Sequence, residues 1–239
     1  MLLQEKYKGY NIFYYDNKYL SIAKNIIDKK IKITKKLKDT KRNFVVEFEN
    51  EGECFVLKEA RNEYRIPQRK LMTIFKKGEA LTTLINLYNL KNDKNIDEIV
   101  EQYFCIIKRK YGMITYSALV MEKIEGISDR KYLDKVIEVV KKLHKNKVYH
   151  GDFNPSNFLV ENNSIKIIDT QGKKMLFGNY RAHYDMLTMK LDSYKEMRYP
   201  YKKNIFYYIA LLMKKLKRIP IIEKIKEKKS ILRDKGWKI

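Results

Sequence analysis

The chain has 239 residues and a formal net charge of +23, because 52 Lys and Arg outnumber 29 Asp and Glu. This length suffices for one catalytic unit with a substantial core and is too short for that unit plus a separate regulatory domain. The N-terminus has no apolar signal core, and the longest apolar run, residues 205–213, is too short to cross a bilayer. We therefore expect a cytoplasmic protein, soluble or peripheral at the inner face of the cytoplasmic membrane.

The first clear elements along the chain are two alternating, β-prone runs, residues 43–49 and 53–58. The intervening Asn50-Glu51-Gly52 predicts a tight hairpin turn, and Lys58 closes the second strand. Residues 31–42, before this first predicted strand, contain no glycine but several cations: Lys35, Lys36, Lys38, Lys41 and Arg42.

A helix is predicted from near Lys77, with apolar residues at Leu81, Leu84, Ile85 and Tyr88. Strand-like runs follow at residues 102–110 and from Ser117 into a polar stop at Glu125-Gly126. We expect these four runs and the helix to belong to a five-stranded antiparallel sheet with one helix. The two cysteines, Cys54 and Cys105, lie on the strand-like runs, which predicts small buried side chains in a reducing compartment, without a disulfide framework or a zinc site.

Residues 131–145 have a helical apolar period that leads the chain into the segment His-Gly-Asp-Phe-Asn-Pro-Ser-Asn at 150–157. Apolar runs at 157–160 and 165–168 then predict a hairpin that brings Asn157 and Asp169 to the same end. In phosphoryl-transfer enzymes of the kinase type, this spacing provides a base, here Asp152, and two oxygen ligands for magnesium, here Asn157 and Asp169. The alternative is an ordinary polar loop whose Asp and Asn side chains cap turns.

Residues 143–160 resemble the catalytic loop of the atypical protein-kinase-like superfamily, with His-Gly-Asp in place of His-Arg-Asp. The segment Ile168-Asp169-Thr170-Gln171-Gly172-Lys173-Lys174 narrows the resemblance to the bacterial lipopolysaccharide core heptose(II) kinase family. That resemblance implies an α+β, bilobal protein-kinase-like fold in one domain spanning 1–239. Residues 1–125 would form a small lobe of antiparallel sheet plus helix with the hinge at its end, and residues 126–239 a mainly helical large lobe.

The resemblance also implies roles outside the loop. Lys58 would contact the α- and β-phosphates of ATP, steadied by a helix glutamate. We favour Glu79 for this partner, because Glu63 lies only a few residues after Lys58 and leaves little chain for a return helix. Backbone groups near Glu122 to Ile124 would bind adenine.

Two features depart from the protein-kinase pattern: no glycine-rich turn precedes the first predicted strand, and no Ala-Pro-Glu segment follows Asp169. Cations of residues 31–42 are candidates to replace the glycine-rich turn electrostatically. Asp185 is expected to hold the 150–157 loop by accepting backbone hydrogens, and His150 to brace it rather than transfer protons. His144 is expected to be structural, and Lys173 and Lys174 are either acceptor contacts or solvated.

The resemblance predicts a kinase that uses ATP and Mg²⁺ to phosphorylate a hydroxyl of a lipopolysaccharide inner-core heptose. Alternatives are another small-molecule, glycan or protein-serine acceptor, a non-catalytic pseudokinase, or a basic nucleic-acid-binding protein. Because no nucleic-acid module is recognisable, no specific nucleic acid is expected as a partner. The basic residues favour an anionic membrane surface, for which residues 205–216 are a candidate interfacial element, although an ordinary core helix is the preferred interpretation of that run.

Overall fold

The computed structural model describes residues 1–219. Cations of the basic tail that figure in the membrane prediction lie outside the described residues: Lys224, Lys226, Lys228, Lys229, Arg233 and Lys235. The described chain divides into two compact units. The N-terminal unit comprises Met1–Tyr88 and Glu101–Lys123, and the C-terminal unit comprises Asn89–Val100 and residues 124–219.

The N-terminal unit is built on a seven-stranded sheet in which all neighbours run antiparallel. The strands are β1 (Leu3–Tyr7), β2 (Tyr10–Tyr14), β3 (Lys32–Asp39), β4 (Phe44–Asn50), β5 (Glu53–Glu59), β6 (Gln102–Lys110) and β7 (Met113–Glu122). Their order across the sheet is β1-β2-β6-β7-β5-β4-β3. This sheet, together with the helices below, confirms the predicted α+β class.

Each face of this sheet carries its own apolar cluster, because side chains alternate along the strands. Helix α1 (Leu20–Ile27) covers one face, which includes Phe48 and Phe55. Helix α4 (Glu79–Asn92) covers the other, where Leu84 packs with Cys105. Two short helices, α2 (Asn62–Arg65) and α3 (Pro67–Met72), connect β5 to α4.

Three sequence expectations about this unit were wrong. Residues 32–39 form an edge strand rather than the approach to the first strand, and the sheet has seven strands rather than five. Every residue of β3 is exposed, and a lysine-rich exposed strand is a usual way to protect a sheet edge from further pairing. Cys54 is exposed, because it lies close to the turn between β4 and β5, whereas Cys105 is buried as predicted.

The C-terminal unit is mainly helical, with two small two-stranded sheets. Its helices are α5 (Leu133–Lys145), α6 (Tyr180–Thr188), which continues into a π-helical turn (Met189–Ser193), and α7 (Ile205–Leu216). Its strands are β8 (Val148–Tyr149), β9 (Phe158–Glu161), β10 (Ser164–Ile167) and β11 (Lys173–Lys174). Among residues 1–219, no helix combines the length and apolar character that a membrane crossing requires.

Helix α7 is a core helix on one side only, which corrects the preferred interpretation of its sequence. Ala210 and Lys214 are buried, and the Lys214 ammonium pairs with Asp192 at 2.5 Å. Apolar side chains on the other side are exposed, including Ile205 at 66% and Leu212 at 56%. The run is apolar on both sides, so its composition does not reveal which side packs.

Candidate active site

The 150–157 loop is held by a carboxylate of helix α6. Asp185 is only 1% exposed, and it accepts hydrogen bonds from the backbone N–H groups of His150 (2.7 Å) and Gly151 (3.1 Å). The expected role of Asp185 is therefore confirmed. His144 lies on the other side of the carboxylate, with Nε2 3.3 Å from Asp185 and Nδ1 2.7 Å from the Tyr201 hydroxyl, which is the structural role expected of it.

The backbone of Asp152 is fixed while its side chain is exposed. Its carbonyl oxygen accepts hydrogen bonds from the Asn157 side-chain amide (2.8 Å) and the Asn154 N–H (2.9 Å). Gly151 precedes it with φ of +90°, a conformation that L side chains rarely adopt. The loop therefore presents the Asp152 carboxylate to solvent from a rigid backbone.

His150 braces the loop from inside. Its ring is buried beside Phe153 and Phe158, and its Nδ1 accepts a hydrogen bond from the Asp152 N–H at 3.3 Å. Burial lowers the pKa of His150, although Asp185 and Asp152 oppose the shift. A neutral ring that accepts at Nδ1 carries its proton on Nε2, so His150 supports the loop without a change of charge near neutral pH.

The hairpin of β9 and β10 brings Asp169 back beside Asn157. Its two turn residues, Asn162 and Asn163, both have positive φ, as a tight type I′ turn requires. The Ile168 N–H then donates to the Asn157 carbonyl at 2.9 Å. On the other side of Asp169, the Thr170 hydroxyl donates to the His150 carbonyl at 3.2 Å. The predicted hairpin and the convergence of Asn157 and Asp169 are both present.

The donor atoms at this end of the hairpin are hard oxygens. Because Asn157 uses its amide nitrogen on the Asp152 carbonyl, its Oδ1 remains the atom suited to a cation, and Asp169 provides an exposed carboxylate. Over residues 1–219, no group of three or more His, Cys, Asp or Glu is arranged to hold a metal ion by itself. Two oxygen ligands fit Mg²⁺ bound together with a triphosphate, because that ion keeps several waters and takes further oxygens from phosphate.

Lys58 lies on the face of the N-terminal sheet that α4 covers. It pairs across the ladder with Leu119, which in turn pairs with Cys105, and directly paired residues share a face. Glu79 is the first residue of α4. The structure thus places Lys58 and Glu79 on the same side of the sheet, within one unit.

Glu63 also lies at the start of α4, although the short chain between Lys58 and Glu63 argued against Glu63 as the helix glutamate. Its Oε1 accepts a hydrogen bond from the Glu79 N–H at 2.7 Å and caps the start of α4. Burial raises the pKa of Glu63, and the nearby Glu79 charge adds to the shift. The return that seemed too short is made by α2, a single helical turn directly after β5. The available signal in the sequence was Pro67, because a proline favours the first position of a helix and therefore predicts that α3 begins four residues after Glu63.

Residues 40–43 form the turn between β3 and β4, at the end of the segment in which the sequence has no glycine-rich turn. The Thr40 hydroxyl closes it by accepting from the Arg42 and Asn43 N–H groups at 3.2 and 3.0 Å. Two arginines stabilise the turn. Arg61, directly before α2, donates to the Thr40 carbonyl at 3.2 Å, and Arg65 of α2 donates to the Lys41 carbonyl. The turn is therefore short, basic and hydrogen-bonded rather than glycine-rich.

Glu122, expected in the hinge, is the last residue of β7. Its N–H donates to the Glu101 carbonyl (3.0 Å), and its carboxylate accepts from the Glu101 N–H (3.2 Å). Ile124 is the first residue of the next segment of the C-terminal unit. Two residues later, Gly126 lies so close to β9 that an added Cβ would be 2.7 Å from the Val160 carbonyl oxygen.

Within the C-terminal unit, the structure gathers Asp152, Asn157 and Asp169 on one loop and hairpin. A separate cavity of about 600 Å³ in the same unit, lined by α5 and β10, contains none of these three residues. Lys173 and Lys174 form β11 and are exposed, and Arg181 lies over the Tyr149 ring at 5.0 Å.

Comparison with known proteins gives a consistent result. A sequence model of the family described as "Lipopolysaccharide core biosynthesis protein (WaaY)" matches residues 1–228. A lipopolysaccharide core heptose(II) kinase WaaY from Escherichia coli is 24% identical over 187 residues, covering 72% of this chain and 79% of that protein. The protein of the same name from Escherichia coli strain K12 is 20% identical over 183 residues, covering 73% and 78%.

Proposed function

Because the chain belongs to the WaaY family of lipopolysaccharide core biosynthesis proteins, we propose that it is an ATP-dependent kinase that phosphorylates a hydroxyl of an inner-core heptose. Two relatives named as lipopolysaccharide core heptose(II) kinases support the acceptor class. The partners are accordingly ATP with Mg²⁺ and a lipopolysaccharide core or a related glycan.

The observation that carries this proposal is the construction of the 150–157 loop. Asp185 fixes the backbone before Asp152, and Asn157 fixes the carbonyl of Asp152 itself. The Ile168 N–H ties the approach to Asp169 to the same turn. A polar loop that merely capped turns would not need three acidic or amide side chains at these relative positions, two of them with exposed carboxylates.

The proposed chemistry assigns one task to each side chain. The Asp152 carboxylate orients the acceptor hydroxyl and takes its proton as the oxygen attacks. Asn157 Oδ1 and the Asp169 carboxylate would hold Mg²⁺. Magnesium and ATP, when bound, supply the phosphoryl group and neutralise its charge.

The N-terminal unit would bind the nucleotide. Lys58 contacts the α- and β-phosphates and Glu79 steadies it, with Glu63 fixing the N-terminus of the same helix. Backbone groups of Glu122 and Ile124 bind adenine. In this proposal the two units are the small and large lobes of one kinase-like domain, with the hinge near residue 125, and the basic 40–43 turn covers the phosphates.

We further propose that the enzyme works in the cytoplasm, peripherally at the inner face of the cytoplasmic membrane. The net charge of +23 supports this location, because each basic residue near an anionic bilayer contributes about 1 kcal/mol. The acceptor, a lipid-linked saccharide, would be presented at that surface.

The decisive experiment measures ATP-dependent phosphorylation of dephosphorylated core oligosaccharide by mass spectrometry. We expect the wild-type protein to add one phosphate to a heptose and Asp152→Asn to lose roughly 10²–10⁴-fold in rate. Asp134→Asn is the matched control, because Asp134 is an exposed carboxylate on α5 in the same unit.

Three outcomes can be told apart in this assay. Phosphate on a different sugar keeps the kinase and corrects the acceptor. Equal rates for wild type and Asp152→Asn refute the assigned base. Absence of both transfer and ATP binding by the folded wild-type protein refutes the kinase proposal.

A further inference from the structure

Helix α7 presents an apolar stripe to solvent. Ile205, Tyr208, Ile209, Leu212 and Leu216 recur at spacings of three and four residues, which places them on one side of the helix. Their exposed fractions are substantial, with Tyr208 at 57% and Leu212 at 56%. One side of the helix therefore packs in the core, and the other side is exposed at the surface of the described structure.

Two more exposed apolar residues lie in the segment after β11, next to the N-terminal turn of α7. Leu176 and Phe177 are 82% and 77% exposed. The next residue, Gly178, lies against the N-terminal turn of α7, since a Cβ added there would be 2.4 Å from the Phe206 ring. The Asn204 side chain also donates to the Asn179 side chain at 3.4 Å. We call the combined surface the α7 platform: Leu176, Phe177, Ile205, Tyr208, Ile209, Leu212 and Leu216.

The sequence segments that form this platform carry only positive charges, and of their cations Arg218 and the buried Lys214 pair with Asp192 of the π-helical turn. Residues 197–219 contain no Asp or Glu, and their cations are Arg198, Lys202, Lys203, Lys214, Lys215, Lys217 and Arg218. Residues 170–184 likewise contain Lys173, Lys174 and Arg181 but no acid. Lys202, Lys203 and Lys215 are exposed on either end of the stripe. Exposed ammonium groups thus flank the apolar stripe, since two lie before α7 and one lies in its last turn.

We propose that the α7 platform is the surface that docks this protein on an anionic lipid bilayer. An amphipathic helix of this kind lies in the membrane interface, with apolar side chains in the acyl boundary and cations among the headgroups. A second copy of the chain fits less well, because a symmetric contact through this surface would bring like charges together. The helix also lacks the length and apolar character to cross the bilayer.

The platform also bears on how the acceptor arrives, a consequence that rests on the proposed function. Its first residue, Leu176, lies two positions after β11, whose Lys173 pairs with Tyr149 directly before the 150–157 loop. A docked platform would therefore bring a lipid-linked saccharide to the edge of the unit that carries Asp152. The docking assay below needs neither nucleotide nor sugar, so its failure is distinguishable from failure of the kinase proposal.

Co-sedimentation of the full chain with vesicles tests the proposal. We expect binding to phosphatidylglycerol vesicles and much weaker binding to phosphatidylcholine vesicles. Tyr208→Ser with Leu212→Ser should weaken binding roughly tenfold or more, because two apolar side chains no longer leave water. The matched control is Leu71→Ser with Phe75→Ser, which removes two similarly exposed apolar side chains, at 56% and 80%, from the N-terminal unit.

The cationic part is tested separately by Lys202→Gln with Lys203→Gln, which should lower affinity for anionic vesicles and reduce its dependence on salt. The proposal is overturned if the wild-type chain does not bind anionic vesicles, or if the α7 pair binds as tightly as the control pair. It is also overturned if the α7 pair alters only the oligomeric state in analytical ultracentrifugation. Circular dichroism of each variant ensures that loss of binding is not loss of fold.

Discussion

The 150–157 loop of the C-terminal unit and the 40–43 turn of the N-terminal unit are both assigned to groups of the same reaction, yet they are built by opposite means. The loop depends on Asp185, a buried carboxylate that accepts two backbone N–H groups. The turn depends on its own threonine and on two half-buried arginines, Arg61 and Arg65.

The difference predicts unequal tolerance to change. A buried N–H group that loses its acceptor costs about 1–3 kcal/mol, whereas an exposed charged contact contributes about 0–1 kcal/mol. The residue expected to take a proton must be placed accurately, and its support is buried. A cationic turn that attracts phosphate acts over several ångströms, so its support can remain at the surface.

The largest effect is expected from Asp185→Ala. The substitution leaves the N–H groups of His150 and Gly151 without an acceptor, so the free energy of unfolding should fall by about 2–5 kcal/mol. The rate of phosphoryl transfer should also fall, because the backbone that positions Asp152 is no longer held. Urea unfolding followed by circular dichroism, together with the transfer assay, measures both changes.

Asp185→Asn separates the two effects, because one side-chain oxygen remains to accept a backbone N–H. We expect it to recover most of the stability and only part of the activity. If Asp185→Ala were as stable and as active as Asp134→Ala, a change at an exposed carboxylate, the 150–157 loop would not depend on Asp185 and the comparison above would fail.

The next largest effect is expected from Lys58→Met, which keeps the length of the side chain and removes its charge. Hydrogen bonds to charged groups contribute about 1.5–3 kcal/mol, so ATP affinity should fall roughly tenfold to a hundredfold. Isothermal titration of ATP with Mg²⁺ measures the change. Lys6→Met, at an exposed lysine on β1, is the control for the loss of one charge from the same unit. Equal losses of ATP affinity in both variants would show that Lys58 acts only through the net charge of the unit.

The sequence predicted the 150–157 region well because its geometry is local. The hairpin turn at Asn162 and Asn163 and the return to Asp169 follow from spacing and from residues that tolerate positive φ. By contrast, β3 was missed because a lysine-rich exposed edge lacks the β-branched and alternating pattern of a paired strand. The exposure of the α7 stripe depends on tertiary packing, which an apolar run on both sides of a helix does not specify.

A smaller effect is expected from Thr40→Ala in the 40–43 turn. Loss of the hydroxyl removes the acceptor for two backbone N–H groups that water can still reach, so the cost in stability should be about 0.5–1.5 kcal/mol. ATP affinity should fall severalfold if the turn contributes to phosphate binding. Thr40→Ser restores the hydroxyl and should restore both properties. Full ATP affinity in Thr40→Ala, with the turn loosened, would exclude the turn from the nucleotide site.

The smallest effect concerns the pH dependence of stability and the charge of Glu63. Burial raises the pKa of this carboxyl in the folded protein, so the native state holds the proton to higher pH than the unfolded state. Stability is then lost as pH rises from the unfolded pKa through the folded pKa, and is constant above both. Glu63→Gln should remove this loss while its amide oxygen still accepts from the Glu79 N–H. Glu63→Ala should instead lose the cap, at about 1 kcal/mol at every pH. If the unfolding free energies of the wild-type protein and Glu63→Gln ran parallel between mildly acidic and neutral pH, another group would compensate the buried carboxylate. Arg109, whose charge favours the ionised form of Glu63, would then be the first partner to test by a double-mutant cycle.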